Sequence, residues 1–528
     1  MTDQSLQAEQ QKAPERTFPR LTRWLAVISG AVLIAALVIF AARNLGNTYF
    51  WTDESSTFMS ALGWPGIGGE AGAIGDAWSW IMRTFLDPGV FHMLVRVWAL
   101  NVGTQIEILR FLPFIFFLIY LVAIVLLGRL MRLPWVFALA VVGLMLLENI
   151  TPYYAVELRP YSAGLAASVA LPLAALWLLQ SPSGPRFGLF AVTFLAVGTM
   201  QYNSLPIELA VAAVLMLGAL RQASVRQRLY PLLAAGLSVI WLPLFYLVSR
   251  GSPFEVDEGE ALDYIPDLVL ADMPLNQAVQ TVITNLLSPT GLPRTAFILA
   301  VPLIWVATRR AHEKRVRIIS ENTARLWLFV TLATALSFAL AVLGFIPWKL
   351  GTRWSIADVG LIAVSIIGLT ALAIDAGLLR RRVLSGVATA LALVAILVGA
   401  IRVATYERQP GYNLRPLLTE LVATTPGKAV IDVWMYPEVR YWIEYSRDYE
   451  DLQNDWRAVG IKQSGQFDEA VAADLQAFLE SDNDAFLLRN DALLLSVPPS
   501  ALEDFVIITE EHSPVEESND APILIVRK

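Results

Sequence analysis

Two adjacent carboxylates, Asp53 and Glu54, stand in the stretch NTYFWTDESSTFMSAL, about ten residues past the end of an apolar run long enough to cross a bilayer. A carboxylate within hydrogen-bond reach of a hydroxyl can take its proton as a general base. Further polar groups sit at the ends of later apolar runs. Arg110 lies in EILRFLP, and Glu157, Arg159 and Tyr161 lie in YYAVELRPYS. Gln201, Tyr202, Asn203 and Glu208 mark the junction of two runs, and Lys349, Arg353 and Asp358 flank PWKLGTRWSIAD. Guanidinium forks bind phosphate oxygens in pairs, so arginines at such positions suit a phosphate. Ionisable residues in or beside membrane spans are costly and are functional suspects. A pump or proton relay would place them near mid-membrane; here they gather at the run ends. The pattern points to a site at the membrane surface that handles something polar attached to something greasy.

Each of these residues also has a plainer reading. Thr52 or Asp53 fits as the N-cap of the helix that follows. Arg110, Arg159 and Arg353 fit as interfacial anchors that snorkel to headgroups. Glu157 fits as a private ion-pair partner of Arg159. His92, in GVFHMLVRVW, fits as a polar residue on an interfacial helix.

The elements that must position these residues are membrane helices. The chain has 528 residues, 56% of them hydrophobic and only 16% charged, with a mean hydropathy of +0.56. A soluble domain carries about 25% charge. The net charge of -7 speaks against nucleic-acid binding. The chain has no cysteine, which excludes disulfides and thiol chemistry, and its three histidines leave little room for a histidine metal centre. The residues indicate no particular cofactor; a divalent cation is compatible with the sequence, but nothing in the composition supports one.

About eleven apolar segments reach spanning length, near 24–42, 108–128, 134–149, 161–180, 186–201, 205–220, 230–249, 292–308, 325–346, 355–376 and 383–401. The first is expected to be an anchor rather than a cleaved leader, since it starts late and no A-x-A site follows. With residues 1–23 as a cytoplasmic tail, the inner segments of residues 1–401 hold about 19 Lys and Arg against about 9 outside. That bias puts Asp53 and residues 402–528 on the outer face. Long outer loops are expected near 43–107 and 250–291. In the first, Trp78, Ile81, Met82 and Phe85 form one helical stripe suited to lying in the interface. The tail reads as a small α/β domain, with strand-like KAVIDVWM, AFLLRN, ALLLSV, FVIITE and ILIVRK, and helix-like VRYWIEYSRDY and FDEAVAADLQAFLES.

In order and spacing these pieces resemble the GT-C type membrane glycosyltransferases, specifically the bacterial relatives of protein O-mannosyltransferases and aminoarabinose (lipid A) transferases. That family has a first span, then an acidic DE pair (here Asp53 and Glu54), then a helix often opening HPPL (here HMLV from His92, without the prolines). An LRLPS-like motif at the second span is matched by LRFLP around Arg110, and EARPY is matched by ELRPYS from Glu157. A later RY segment is matched loosely by TRWSIAD, and the tail from PGKAVIDV resembles the tails of bacterial members.

The resemblance implies a polytopic helical membrane protein with a GT-C domain over residues 24–401 and an outer α/β domain over 402–528. It implies an inverting transferase in the cytoplasmic (inner) membrane of a cell with a built envelope. A sugar would pass from a polyprenyl-phosphate donor to lipid A or core oligosaccharide, a cell-wall glycan, another lipid or a protein. Asp53 is then the general base, and Glu54 its catalytic companion, positioning the acceptor or pairing with a cation. Arg353, Arg110, Arg159 and Lys349 would hold the donor phosphate, and Glu157, Tyr161, His92, Tyr202 and Asn203 would line the substrate. The leaving group is already a phosphate, so it needs positive charge rather than a strong acid. A transporter or flippase of lipid-linked saccharides is the competing class; it would show polar residues along the whole crossing path and inverted repeats, and neither is visible.

Overall fold

Runs of apolar residues with few charges satisfy their backbone only as helices in lipid, and the computed structural model is accordingly mostly helical. It describes residues 20–46, 50, 52–62, 89–148, 150–201, 204–250, 320–342, 356–375, 382–408, 414–424, 429–431, 435–445, 462–463, 475–481, 484–488, 499–509 and 523–528. Helix α1 runs over Arg20–Asn44, followed by the short α2, Thr52–Ala61, and α3, Gly89–Asn101. Then come α4 (Ile106–Leu130), α5 (Trp135–Met145), the one-and-a-half-turn α6 (Ile150–Ala155) and α7 (Tyr161–Gln180). Next are α8 (Gly184–Val197), α9 (Leu205–Leu220), α10 (Val225–Arg250), α11 (Glu321–Val342), α12 (Ile356–Asp375) and α13 (Arg382–Thr405).

Six helices among the described residues are long and apolar enough to cross a membrane: α1, α4, α7, α11, α12 and α13. Helices α3, α5, α8 and α9 are apolar but shorter. Helices thus occupy every expected segment except 292–308, which lies outside the described residues, as do the 250–291 loop and the Trp78 stripe.

Helix α7 is the centre of the bundle. It is buried along nearly its whole length and is packed by α4, α8, α9 and α12. Its composition explains this: Ala163, Gly164, Ala166, Ala167, Ser168 and Ala170 are small, and small residues let helix backbones approach in lipid. Gly360 of α12 lies directly against Ser168. Helices α1 and α13 lie at the periphery and pack on each other and on α5. There α5 and α13 meet backbone to backbone. A Cβ on Gly143 would come within 2.6 Å of the Ala395 carbonyl, and one on Gly399 would strike the Gly143 backbone.

After α13 the chain forms α14 (Arg415–Thr424), β1 (Ala429–Ile431), α15 (Tyr436–Glu444), β2 (Lys462–Gln463), β3 (Ala485–Leu488), β4 (Phe505–Thr509) and β5 (Ile523–Arg527). The strands make one sheet in the order β2-β1-β3-β5-β4, parallel among β2, β1 and β3 and antiparallel at β5 and β4. Of the expected strands, ALLLSV lies outside the described residues. Of the helix expected over FDEAVAADLQAFLES, residues 475–479 are helical. Helix α14 and strand β2 add to the elements expected from the tail's periodicity.

The Gly143–Gly399 contact gives a direct test of this packing. Gly399→Val overpacks it and should cost about 1–3 kcal/mol, read as a lower unfolding temperature in detergent. Gly386→Val in the same helix, where an added Cβ meets nothing within 4 Å, should stay within about 0.5 kcal/mol of wild type.

Candidate functional site

Helix α2 carries the acidic pair. Asp53 lies in its first turn and Glu54 follows. Glu54 is fully buried. Arg110, from the first turns of α4, grips it with both arms of its fork: Nε donates to Oε1 at 3.0 Å and Nη2 to Oε2 at 2.7 Å. The backbone N–H of Leu158 donates to Oε1 at 3.0 Å. Arg408 donates from Nη1 to Oε2 at 3.1 Å. Four donors from three distant parts of the chain therefore converge on one carboxylate.

Arg408 extends the cluster. Its Nη2 lies 3.9 Å from Glu157 Oε1, and its guanidinium lies 5.0 Å from the centre of the Tyr153 ring. The buried set of Glu54, Glu157, Arg110 and Arg408 carries two charges of each sign. Burial opposes the charge on Glu54, but Arg110 and Arg408 outweigh it and hold the carboxyl below its ordinary value of 4.5. Burial likewise opposes the charge on Arg408, and Glu54 and Glu157 overcome it, raising its pKa. The Tyr153 phenol is pushed well above its usual range, first by burial and then by Glu157.

Arg159 holds the middle of α2. It donates from Nη1 to Thr57 Oγ1 at 3.2 Å and from Nη2 to the Tyr161 hydroxyl at 3.3 Å, with its guanidinium 5.6 Å from the Tyr161 ring centre. Arg96 of α3 donates to the Ala61 carbonyl at 3.2 Å and ties down the end of α2. On its apolar side, Phe58 meets Tyr441 edge-on at 5.4 Å and Tyr445 at 5.1 Å, while Phe50 lies 4.1 Å from Tyr441. The Tyr441 hydroxyl donates to the Thr104 carbonyl at 3.1 Å.

The structure thus brings together Glu54, Arg110, Glu157, Arg159 and Tyr161 around α2. His92 is buried on α3, which packs on α2, rather than lying on an open interfacial face. Lys349, Arg353, Tyr202 and Asn203 lie outside the described residues. Arg110, expected beside the donor phosphate, donates to Glu54 from Nε and Nη2 and is wholly buried. Glu157, expected to line the substrate, or on its plainer reading to pair with Arg159, lies 3.9 Å from Arg408. Arg408 itself was not among the sequence candidates; it belongs to no motif, and its one signal is a position just past the last apolar run. Among the described residues no group of three or more His, Asp or Glu gathers as metal ligands.

No protein-family model matches the chain, and no curated protein matches it. Its fold is similar to that of a solved membrane protein, ArnT, at low sequence identity. The chain is similar to ArnT from Cupriavidus metallidurans in the apo state, with a TM-score of 0.50 at 15% identity over 96% of this chain and 98% of that one. Against the same ArnT bound to undecaprenyl phosphate the TM-score is 0.52, again at 15% identity and with the same coverage.

Removing one member of a buried ion pair strands the other charge and costs roughly 3–5 kcal/mol. Glu54→Gln should lower thermal stability in detergent by about that much at neutral pH. Because the folded pKa of Glu54 is depressed, its contribution is fully present above the ordinary value of 4.5 and is lost as pH falls through the lower folded value. The gap between wild type and Glu54→Gln should therefore hold from neutral pH down to about that value and close only below it. A gap that closes well above pH 4.5 would contradict the assignment.

Proposed function

We propose that this protein is an inverting glycosyltransferase that moves a sugar from a polyprenyl-phosphate donor to an envelope acceptor at the outer face of the cytoplasmic membrane. One observation carries the reading. The buried Glu54 cluster fixes the helix turn on which Asp53 stands, in a fold shared with a transferase solved with undecaprenyl phosphate bound.

In this reading Asp53 takes the proton of the acceptor hydroxyl. The oxygen attacks the anomeric carbon from the face opposite the phosphate, through an oxocarbenium-like state. The bond from carbon to phosphate oxygen breaks, and the electron pair leaves with the phosphate. Positive charge beside that oxygen stabilises the anion as it forms. Arg353, Lys349 and Arg159 are proposed for this. Arg110, expected at the phosphate, is proposed to hold Glu54. Tyr161, His92, Tyr202, Asn203 and Glu157 are proposed to shape the substrate cavity. The acceptor classes are lipid A or core oligosaccharide, cell-wall glycan, another lipid, or protein, and glycan profiling of a deletion strain's envelope distinguishes them.

Asp53→Asn keeps size and removes basicity, so transfer should fall at least roughly a hundredfold while the protein still folds; a near-wild-type rate would rule out Asp53 as the base. The arginine bias also predicts sidedness. Alkaline-phosphatase fusions near residue 410 should be active and fusions just after Arg382 inactive, and the reverse pattern would invert the site.

A further inference from the structure

Glu54 does not need two guanidinium groups for its charge alone. Arg110 already supplies a bidentate fork, and Leu158 N–H a third donor. Burying a second arginine costs several kcal/mol of desolvation unless it is matched elsewhere. Arg408 is matched by two further groups: Glu157 on the chain before α7, and the face of Tyr153 on α6.

Its backbone is tied as well. The Arg408 N–H donates to Asn44 Oδ1 at 2.8 Å, and Asn44 Nδ2 donates to the carbonyls of Phe40 at 2.9 Å and Tyr406 at 3.0 Å. The turn after α13 is thereby latched to the end of α1. Beside it Arg43 pairs with Glu407 at 3.1 Å on the surface. Arg408 thus spans from an anchored backbone to the free side of Glu54. Arg110 holds Glu54 from α4, and Arg408 holds it from the opposite end of the chain.

We propose that Arg408 is a positioning residue for the transfer reaction: it locks the Asp53–Glu54 turn between the end of α1 and the Glu157 segment, so that the base presents one geometry. The proposal rests on the transferase reading for its catalytic consequence, but not for the lock itself. Removing Arg408 leaves the Arg110 fork on Glu54. The fold therefore survives and α2 loosens locally. A displacement of about 1 Å at a reacting group is worth up to about a hundredfold in rate.

The test uses the full-length protein in detergent micelles with two substitutions, Arg408→Gln and Arg408→Lys. Amide hydrogen exchange is read over residues 52–61 and, as internal reference, over residues 161–180. Turnover is read with an extract of the protein's own membranes and envelope, which supplies both the polyprenyl-phosphate sugar and the acceptor. In Arg408→Gln, exchange over 52–61 should rise at least tenfold with 161–180 unchanged. Apparent kcat should fall at least tenfold with the donor KM within twofold. Arg408→Lys, which keeps the charge, should restore much of both.

Unchanged exchange over 52–61 overturns the lock. Faster exchange over 161–180 as well makes Arg408 a general structural residue and also overturns it. A raised donor KM with kcat intact places Arg408 on the donor instead. If wild-type protein forms no glycosidic product from the extract, the transferase reading falls, while the exchange measurement still decides the lock.

Discussion

An ionised carboxyl taken out of water must be matched in charge and in hydrogen bonds, or it protonates. Glu54 is such a group, and the local structure follows from that demand. Its two oxygens receive the Arg110 fork, the Leu158 N–H and one arm of Arg408. Arg408 brings its own requirement, which Glu157 and the Tyr153 face meet. Satisfying one carboxylate thus fixes where α2, the start of α4, the chain before α7 and the turn after α13 lie relative to one another.

Helix α2 could not hold this position unaided. It has ten residues, and isolated helices of that length are marginal in water. Two sets of contacts hold it. Polar ones come from Arg110, Arg159 and Arg408; apolar ones come from Tyr441 and Tyr445 on Phe50 and Phe58. Arg408, Tyr441 and Tyr445 all follow the last spanning helix. Residues that follow the last spanning helix therefore pack directly on α2 and the residue before it. The Asp53 turn is complete only once the end of the chain has folded back onto its beginning.

The helices were legible because lipid imposes one length and one composition on anything that crosses it. The expected segments at 161–180 and 205–220 coincide with α7 and α9, while 24–42 falls within α1. The strands of the tail were legible where β-branched runs stood between polar stretches, as in FVIITE and ILIVRK. The site was legible in part. Glu54, Arg110, Glu157 and Arg159 stood out as charges beside apolar runs, and all are buried near α2. Their pairing was not legible, because spacing along a chain carries no information on which guanidinium meets which carboxylate across more than fifty residues. Arg408 was invisible for the same reason. It lies 354 positions from Glu54, among surface-like neighbours such as Arg402 and Glu407.

The adjacent carboxylates can now be assigned different work on physical grounds. A general base needs a lone pair free for a proton and a pKa that lets it accept one. Glu54 has neither: its oxygens accept four hydrogen bonds, and the two arginines hold its pKa below the ordinary carboxylate value. Protonating it would also leave two buried cations facing one carboxylate, Glu157. Glu54 is therefore a poor base and a good anchor. The neighbouring residue on the same helix turn, Asp53, inherits the chemistry in the proposed reaction. In the proposed reaction the pair divides the work: Glu54 anchors the helix turn through its four hydrogen bonds, and Asp53, on the same turn, is the base.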